Sequence, residues 1–339
     1  MILREELEKL EYEKLSPFAT KSAETKGRAI PEEKDELRTE FQRDRDRIIH
    51  SKSLRRLMHK TQVFLAPEGD HFRTRLTHTL EVSQIARTIA RALNLNEDLT
   101  EAIAMGHDLG HTPFGHNGED FLNQKHPGGF EHNVQSLRVV DVLERNHSGR
   151  TMNLTDEVRD GIVNHSGKLM PYTLEGQIVK FSDRIAYINH DIDDAIRGGI
   201  ISEEDIPKEC IEHIGHDHRT RIAYLVKDIV KASDGQNMIV QSDEAAKYMN
   251  ILRDYMFEAV YRNPRVKQDA ELEKIQTLIF SLYDYYMAHE EELPAELLEL
   301  KAKDGLNEIV KDHIAGMTDR YAINLYGELF VPAGWKLRR

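Results

Sequence analysis

The sequence contains a single cysteine, Cys210, in 339 residues. One cysteine cannot form an internal disulfide framework, and this composition fits a reducing compartment. The chain also lacks an apolar run long enough to span a bilayer, and its first residues, MILREE, are acidic where a signal peptide would be basic. These absences predict a cytoplasmic protein with no membrane partner.

Basic residues are fewer than acidic ones: the sequence has 46 Lys and Arg and 59 Asp and Glu, which gives a net charge of −13. A nucleic-acid-binding surface needs accumulated Lys and Arg, so the composition argues against a nucleic-acid partner without ruling out a local basic pocket. Residues 38–60, RTEFQRDRDRIIHSKSLRRLMHK, carry many basic side chains. Their interleaved acids fit a solvated helix face equally well, and the sequence leaves both interpretations open.

Alternating β patterns longer than a few residues are absent, whereas helical periodicity recurs along the chain. Val82, Ile85, Ile89 and Leu93 follow spacings of three and four, which predicts an amphipathic helix from about residue 77. Further helices are predicted over 38–64, 133–143, 177–197, 219–232, 243–262 and 266–290, with breakers at 66–70. The sequence therefore predicts an all-α fold.

One ten-residue segment, HDLGHTPFGH at 107–116, contains three histidines and an aspartate. Asn96 is a good N-cap for a helix that precedes this segment, and Gly110 is a typical C-terminal stop. These signals place His107 and Asp108 in the last turn of that helix. They place residues 111–116 in the loop that follows.

Imidazoles and carboxylates on three predicted helices form a candidate set of metal ligands: His78, His107, Asp108 and Asp183. Helical folds usually build metal sites from inward-pointing side chains of several helices. Two nitrogen and two oxygen donors without a thiolate suit Mn, Fe, Mg or Ni better than structural zinc. Taken singly, His78 also fits a surface or hydrogen-bonded core histidine, and Asp183 also fits an exposed helix acid.

Four segments then occur in order: RTRLTHTLEV (73–82), HDLGHTPFGHNGE (107–119), GGFEHN (128–133) and SDRIAYINHDIDDAIR (182–197). Together they resemble the deoxynucleoside-triphosphate triphosphohydrolases of the HD-domain superfamily, in particular the bacterial dGTPase-like proteins. The resemblance runs from about residue 16 to 199. It implies an HD-type catalytic core at 37–200, and the residue pattern before that core predicts an N-terminal helix and polar arm at 1–36. The remaining residues, 201–339, read as a C-terminal helical region packed on the core.

The resemblance also implies roles for individual residues. The metal ligands of the family match His78, His107, Asp108 and Asp183, the set that ligand chemistry favours. The catalytic group is implied to be His116, Glu119 and His132, with His116 beside the scissile bond and Glu119 orienting it or sharing its proton. The implied nucleotide contacts are Gln62, Arg75, His111, Arg184, Tyr187 and Asp191. For His111 a loop-stabilising hydrogen bond, and for His132 a polar role at a helix start, stay open as alternatives.

The implied reaction is attack of water on the α-phosphorus of a dNTP, releasing a deoxynucleoside and inorganic triphosphate. A divalent metal polarises the phosphoryl oxygen and binds the attacking water, with Mg expected on the triphosphate. The resemblance further implies a homo-oligomer, and it leaves open the preferred base and whether a second dNTP binds as an allosteric activator. Two other functions stay open: an HD-family phosphohydrolase acting on another nucleotide, and a nucleotide-sensing regulator with a weakened site.

Overall fold

Helices form nearly all of the regular structure in the residues that the computed structural model describes, 3–62, 73–146, 148–263 and 269–332. Within these ranges the only β pairing consists of isolated bridges, so the all-α prediction is confirmed. The α-helices are α1 (Arg4–Lys14), α2 (Glu40–Ile49), α3 (Lys52–Arg56), α4 (Arg75–Ala92), α5 (Glu97–Gly106), α6 (Gly115–Lys125), α7 (His132–Arg138), α8 (Asp156–Asn164), α9 (Leu174–Arg197), α10 (Lys208–Ile214), α11 (His218–Ser233), α12 (Asp243–Met256), α13 (Asp269–Ala288), α14 (Ala295–Leu298), α15 (Lys301–Asp304), α16 (Leu306–Ala315) and α17 (Asp319–Phe330). Shorter 3₁₀ turns lie at Ser22–Glu24, Leu57–His59, Glu203–Asp205 and Glu290–Glu292, and π-helical turns lie at Val139–Leu143 and Phe257–Tyr261.

Side-chain caps explain where the three central helices begin. Asn96 accepts a hydrogen bond from the backbone N–H of Leu99 at the start of α5, as its sequence predicts. Thr74 and Thr173 cap α4 and α9 in the same way. Each cap satisfies an N–H group that the first helical turn would otherwise leave unpaired. These are the helices that carry or precede the candidate metal ligands.

Two clusters of buried apolar side chains hold the helices together. In the first, α4, α5 and α9 pack against one another, and α9 buries an apolar stripe at Ile178, Ile185, Ile188 and Ile192. This cluster reaches as far as Val260, so α10 to α12 share it. The second cluster joins α6 to α13, α16 and α17. The domain division at residues 36 and 200 stays a prediction.

The helix before the histidine-rich segment is shorter than the sequence predicts. α5 ends at Gly106, and His107 to Gly110 form a turn. Ser136 explains the difference, because its hydroxyl donates to the carbonyl of His107 (2.7 Å) and accepts from the N–H of Gly110 (2.8 Å). These backbone groups therefore bond to α7 instead of continuing the helix.

The prediction that residues 111–116 form a loop is wrong at its end, because His116 lies in the first turn of α6. Two consecutive residues with positive φ, Phe114 (64°) and Gly115 (59°), reverse the chain just before this helix. A side chain at Gly118 would place its Cβ 1.9 Å from the carbonyl oxygen of Pro113. The glycines and the proline that suggest a loop therefore build a tight turn onto a helix.

The basic residues of 38–60 do not share one role, and three of them, Lys52, Arg56 and Lys60, line a cavity. α2 and α3 occupy this segment, and the arginines of α2 pair with acids of neighbouring segments. Arg45, for example, lies 2.9 Å from Asp98 of α5. The positive charge of α2 thus holds helices together. The predicted break at 66–70 lies outside the described residues, and no helix inside them has the length and apolarity required to cross a membrane.

Candidate metal centre and active site

The four predicted metal ligands meet at the centre of the first cluster. Nε2 of His78, on α4, lies 3.0 Å from Oδ1 of Asp183, on α9. Nε2 of His107, in the turn after α5, lies 3.4 Å from Oδ1 of Asp108 and 3.9 Å from Oδ1 of Asp183. The structure therefore brings together side chains that are 105 residues apart in the chain.

The orientation of His107 fits metal ligation. Its Nδ1 lies 2.6 Å from the carbonyl oxygen of Ala104, which can only accept, so Nδ1 carries the proton. Nε2 then presents its lone pair toward the two carboxylates, and it has no hydrogen-bond partner among the described residues. A buried donor of this kind, beside a second imidazole and two carboxylates, fits a divalent ion.

Both aspartates are held in the ionised form that a ligand requires. Burial alone would raise the pKa of Asp108, but the neighbouring His107, His111 and Arg75 hold that pKa well below its usual range. Burial would also raise the pKa of Asp183, but the hydrogen bond with His78 lowers that pKa below its usual value.

Arg75 is a buried cation with spare hydrogen-bonding capacity. Its NH1 donates to Oδ2 of Asp108 at 3.0 Å, and the residue is 1% exposed. Its Nε and NH2 have no partner in the part of the chain that the structure describes. Leaving such donors buried and unpaired is unfavourable, and a phosphate could satisfy them with a bidentate contact. Arg184, by contrast, is half-buried and donates to Oδ1 of Asn250 on α12.

The carboxylate of Glu119 lies close to the three remaining predicted histidines, which are His111, His116 and His132. Its carboxylate accepts a hydrogen bond from the backbone N–H of His132 (2.8 Å) and lies 2.9 Å from Nδ1 of the same residue. It also lies 3.5 Å from Nδ1 of His116 and 3.8 Å from Nδ1 of His111. The side chain of His116 is 71% exposed, so this ring is the member of the group that solvent and a ligand can reach.

His111 and His132 stack on each other, with ring centroids 4.0 Å apart and ring planes 13° from parallel. Nε2 of His111 also lies 3.2 Å from Oδ1 of Asp108, so distances alone would allow a second cation among Asp108, His111 and His132. An imidazole lone pair lies in the plane of its ring, however, and two nearly parallel rings do not aim at one ion. The stack fits a contact with phosphate better than a second metal.

His165 belongs to this cluster and was missed in the sequence. It follows α8 and is buried, with its ring 4.9 Å from that of His107. Burial, with the nearby charges of His107 and His132, lowers its pKa to about 3. The one available signal was a histidine at a helix end, as at His107, and each ring bonds through Nδ1 to the carbonyl three residues earlier.

A second missed residue, Asp319 at the start of α17, holds two active-site segments together. Its Oδ1 accepts from the N–H of Phe114 (2.9 Å), and its Oδ2 accepts from the N–H of Thr61 (3.0 Å). The segments then approach so closely that a Cβ at Gly115 would lie 3.2 Å from the carbonyl oxygen of Gln62. Gln62 itself is buried, and its Oε1 has no hydrogen-bond partner within the described ranges.

The other two predicted contacts, Tyr187 and Asp191, lie on α9 on the C-terminal side of Asp183. Burial raises the pKa of Asp191 to about 7, and the hydroxyl of Tyr261 donates to its Oδ2. Tyr187 is half-buried, and burial near Asp183 raises its pKa. Tyr261, in the π-helical turn after α12, is a third residue that sequence reasoning missed.

Known proteins resemble this chain over nearly its full length. Residues 75–188 match the HD domain family, and residues 239–328 match the family described as phosphohydrolase-associated domain. The chain is 56% identical over 335 residues to a deoxyguanosinetriphosphate triphosphohydrolase-like protein of Caldanaerobacter subterraneus subsp. tengcongensis, covering 99% of this chain and 98% of that protein. It is 45% identical over 343 residues to a protein of the same description from Clostridium tetani, covering 98% and 97%. A solved phosphohydrolase from Bacteroides thetaiotaomicron shares the fold, with a TM-score of 0.53 at 18% identity over 84% of this chain and 68% of that one.

Proposed function

This chain belongs to the family of deoxyguanosinetriphosphate triphosphohydrolase-like proteins that carry an HD domain, and from that premise we propose that it hydrolyses deoxynucleoside triphosphates to deoxynucleoside and inorganic triphosphate. Membership establishes the coarser function, a nucleotide phosphohydrolase. The observation that carries the finer proposal is Arg75, a buried guanidinium with unpaired donors beside the candidate ligand carboxylates. A phosphate chain is the ligand that satisfies such a group.

HD domains depend on metal, and we propose His78, His107, Asp108 and Asp183 as the ligands in this chain. A divalent ion bound by them, Mn, Mg, Fe or Ni, would supply Lewis-acid chemistry at the phosphoryl oxygen. A further Mg ion is proposed on the triphosphate. The protein would contribute fixed positive charge on the other side through Arg75, and the edge of the His111 ring would add a hydrogen-bond contact. Arg184 would add a second, more exposed contact.

Departure of the nucleoside requires a proton on its 5′-oxygen, and we propose that His116 supplies it. The exposure of this ring allows it to reach a bound substrate, and the Glu119 carboxylate lies 3.5 Å from its Nδ1. The pKa of Glu119 is held below its usual range despite burial, through hydrogen bonds from His116 and His132. Glu119 therefore stays ionised and can orient His116.

The deoxyribose would lie against Gln62, Tyr187 and Asp191. The buried Oε1 of Gln62 is an acceptor available to a 3′-hydroxyl, since it has no partner among the described residues. A homo-oligomer, activation by a second dNTP and a cytoplasmic location remain predictions. Cys210 is buried and free, as a reducing compartment allows.

The product profile tests this function. Each dNTP, alone and in mixtures, should be incubated with the protein in Mn²⁺ or Mg²⁺, and the phosphate products separated. The proposal expects inorganic triphosphate and deoxynucleoside in equal amounts. Pyrophosphate or orthophosphate from another nucleotide would favour a different HD phosphohydrolase. Binding of dNTPs without any release of product would favour the regulator with a weakened site.

A further inference from the structure

His132 and His165 face each other through their Nε2 atoms, which lie 3.3 Å apart. A contact of this length between two imidazole nitrogens is a hydrogen bond only if one nitrogen carries a proton and the other does not. The neighbours of each ring decide which nitrogen donates. The donor can therefore be assigned from the hydrogen bonds at the other end of each ring.

The far end of His165 bonds to the backbone. Its Nδ1 lies 2.7 Å from the carbonyl oxygen of Ile162. A carbonyl only accepts, so Nδ1 carries the proton of the neutral ring and Nε2 presents a lone pair. The far end of His132 faces a carboxylate, with its Nδ1 2.9 Å and 3.1 Å from the two oxygens of Glu119. Nδ1 of His132 therefore donates to Glu119. The proton between the two Nε2 atoms belongs to His132, because the Glu119 carboxylate stabilises a positively charged ring there, so Nε2 of His132 donates to His165.

We infer that His165 is a positioning residue for His132, whose ring it fixes by accepting a hydrogen bond from Nε2–H. The inference rests on the proposed function and deepens it. His132 is then held at both ends, by Glu119 and His165, while its face stacks on His111 at 4.0 Å. With both of its nitrogens committed as donors, His132 carries positive charge toward the phosphates and does not deliver the proton to the leaving group. That role falls to His116.

A competing role for His165 is metal ligation, because its ring nitrogen also lies near those of His107 and the carboxylate of Asp183. One lone pair cannot serve a metal ion and His132 at the same time. The hydrogen-bond distance to His132 favours positioning, and the two roles give opposite results for metal content.

The test compares His165→Leu, which removes the acceptor, with His165→Gln, whose Oε1 can replace Nε2 as acceptor. We expect kcat for dNTP hydrolysis to fall by about 10- to 100-fold in His165→Leu. Losses of this size are typical when a functional imidazole loses the hydrogen-bond partner that orients it. His165→Gln should recover most of that loss. KM should change little, and metal content by elemental analysis should equal that of the wild type in both variants. His313→Leu, which removes a half-buried histidine of α16 whose Nε2 is buried, is the matched control and should keep kcat within about twofold.

Three outcomes would overturn the inference. Loss of metal in His165→Leu would make His165 a ligand. Equal losses of kcat in the Leu and Gln variants, with metal retained, would mean that His165 contributes only to packing. Full activity in His165→Leu would remove any role. A further readout does not depend on turnover: in ¹⁵N-histidine-labelled protein at pH 7, both His132 nitrogens should give protonated-type signals in the wild type and not in His165→Leu. If the wild type releases no triphosphate, the proposed function has failed, but these spectra still show whether His165 accepts a hydrogen bond from His132.

Discussion

NH1 of Arg75 lies 3.0 Å from Oδ2 of Asp108, and both side chains are almost completely buried. The pair joins a proposed phosphate contact to a proposed metal ligand. A buried ion pair is weak evidence for stability, because desolvation offsets much of its attraction. The unpaired Nε and NH2 of the same guanidinium indicate that it is placed for a ligand. Arg75 is thus the residue through which metal and substrate binding should be linked.

Replacement of Arg75 by Lys should weaken nucleotide binding, because Lys keeps the charge but loses the planar fork. Loss of a charge-assisted hydrogen bond of about 1.5–3 kcal/mol corresponds to about a 10- to 100-fold rise in Kd. The measurement is calorimetric titration with a non-hydrolysable dNTP analogue. Metal content should be retained. Arg184→Lys is the comparison and should show a smaller rise, since Arg184 is half-buried. An unchanged Kd in the Arg75 variant would place the phosphate contact elsewhere.

Replacement of Asp183 by Ala should abolish both metal binding and hydrolysis while leaving the helical fold largely intact. Asp183 is the carboxylate that lies near both His78 and His107. Elemental analysis and circular dichroism check the two halves of this prediction. Asp193→Ala, on the same helix but half-exposed and paired with Arg73, should keep its metal. Stoichiometric metal in Asp183→Ala would contradict the ligand assignment.

Replacement of His116 by Ala should slow turnover while sparing metal content and dNTP affinity. General acid–base catalysis contributes about 10²- to 10⁴-fold, and kcat should fall within that range. Glu119→Gln should show a smaller fall in kcat. In the double variant, the loss of transition-state stabilisation should be less than the sum of the two single losses, because the pair acts as a unit. Loss of metal in His116→Ala would instead make His116 a ligand. Unchanged kcat would leave this ring with a structural role only.

Replacement of Asp319 by Asn should lower both stability and kcat. An amide retains one accepting oxygen, so the N–H of either Thr61 or Phe114 loses its acceptor. A buried unsatisfied donor costs about 1–3 kcal/mol, which urea denaturation can measure. Asp284→Asn is the control, since this exposed acid pairs with Lys125 at the surface and should change stability by less than about 1 kcal/mol. Equal stabilities for the two variants would contradict the proposed role of Asp319.

The sequence predicts the fold class correctly because helical periodicity is a local pattern. The helix expected over 177–197 and the Asn96 cap are confirmed as features of single helices, whereas the metal ligands stay a prediction. The four proposed ligands lie in motifs that are recognisable without knowing how the helices pack. Their proximity then follows from the packing of α4, α5 and α9.

What the sequence could not supply are contacts made by tertiary structure alone. His165, Tyr261 and Asp319 have ordinary neighbours in the chain, and the active-site residues that they contact lie at least 33 residues away. The helix α6 was missed because its glycines suggest a loop. Leu122 of α6 belongs to the second cluster, where α6 packs against α13, and no local pattern reveals this packing.

Hydrolysis of a dNTP in H₂¹⁸O tests the central claim most directly. If water attacks the α-phosphorus, one ¹⁸O atom should appear in the inorganic triphosphate and none in the deoxynucleoside, as mass spectrometry of both products would show. The label should be incorporated only when a divalent metal is present, and not by the Asp183→Ala variant. Label in the 5′-hydroxyl of the deoxynucleoside, or in pyrophosphate or orthophosphate as the first product, would contradict the proposed reaction.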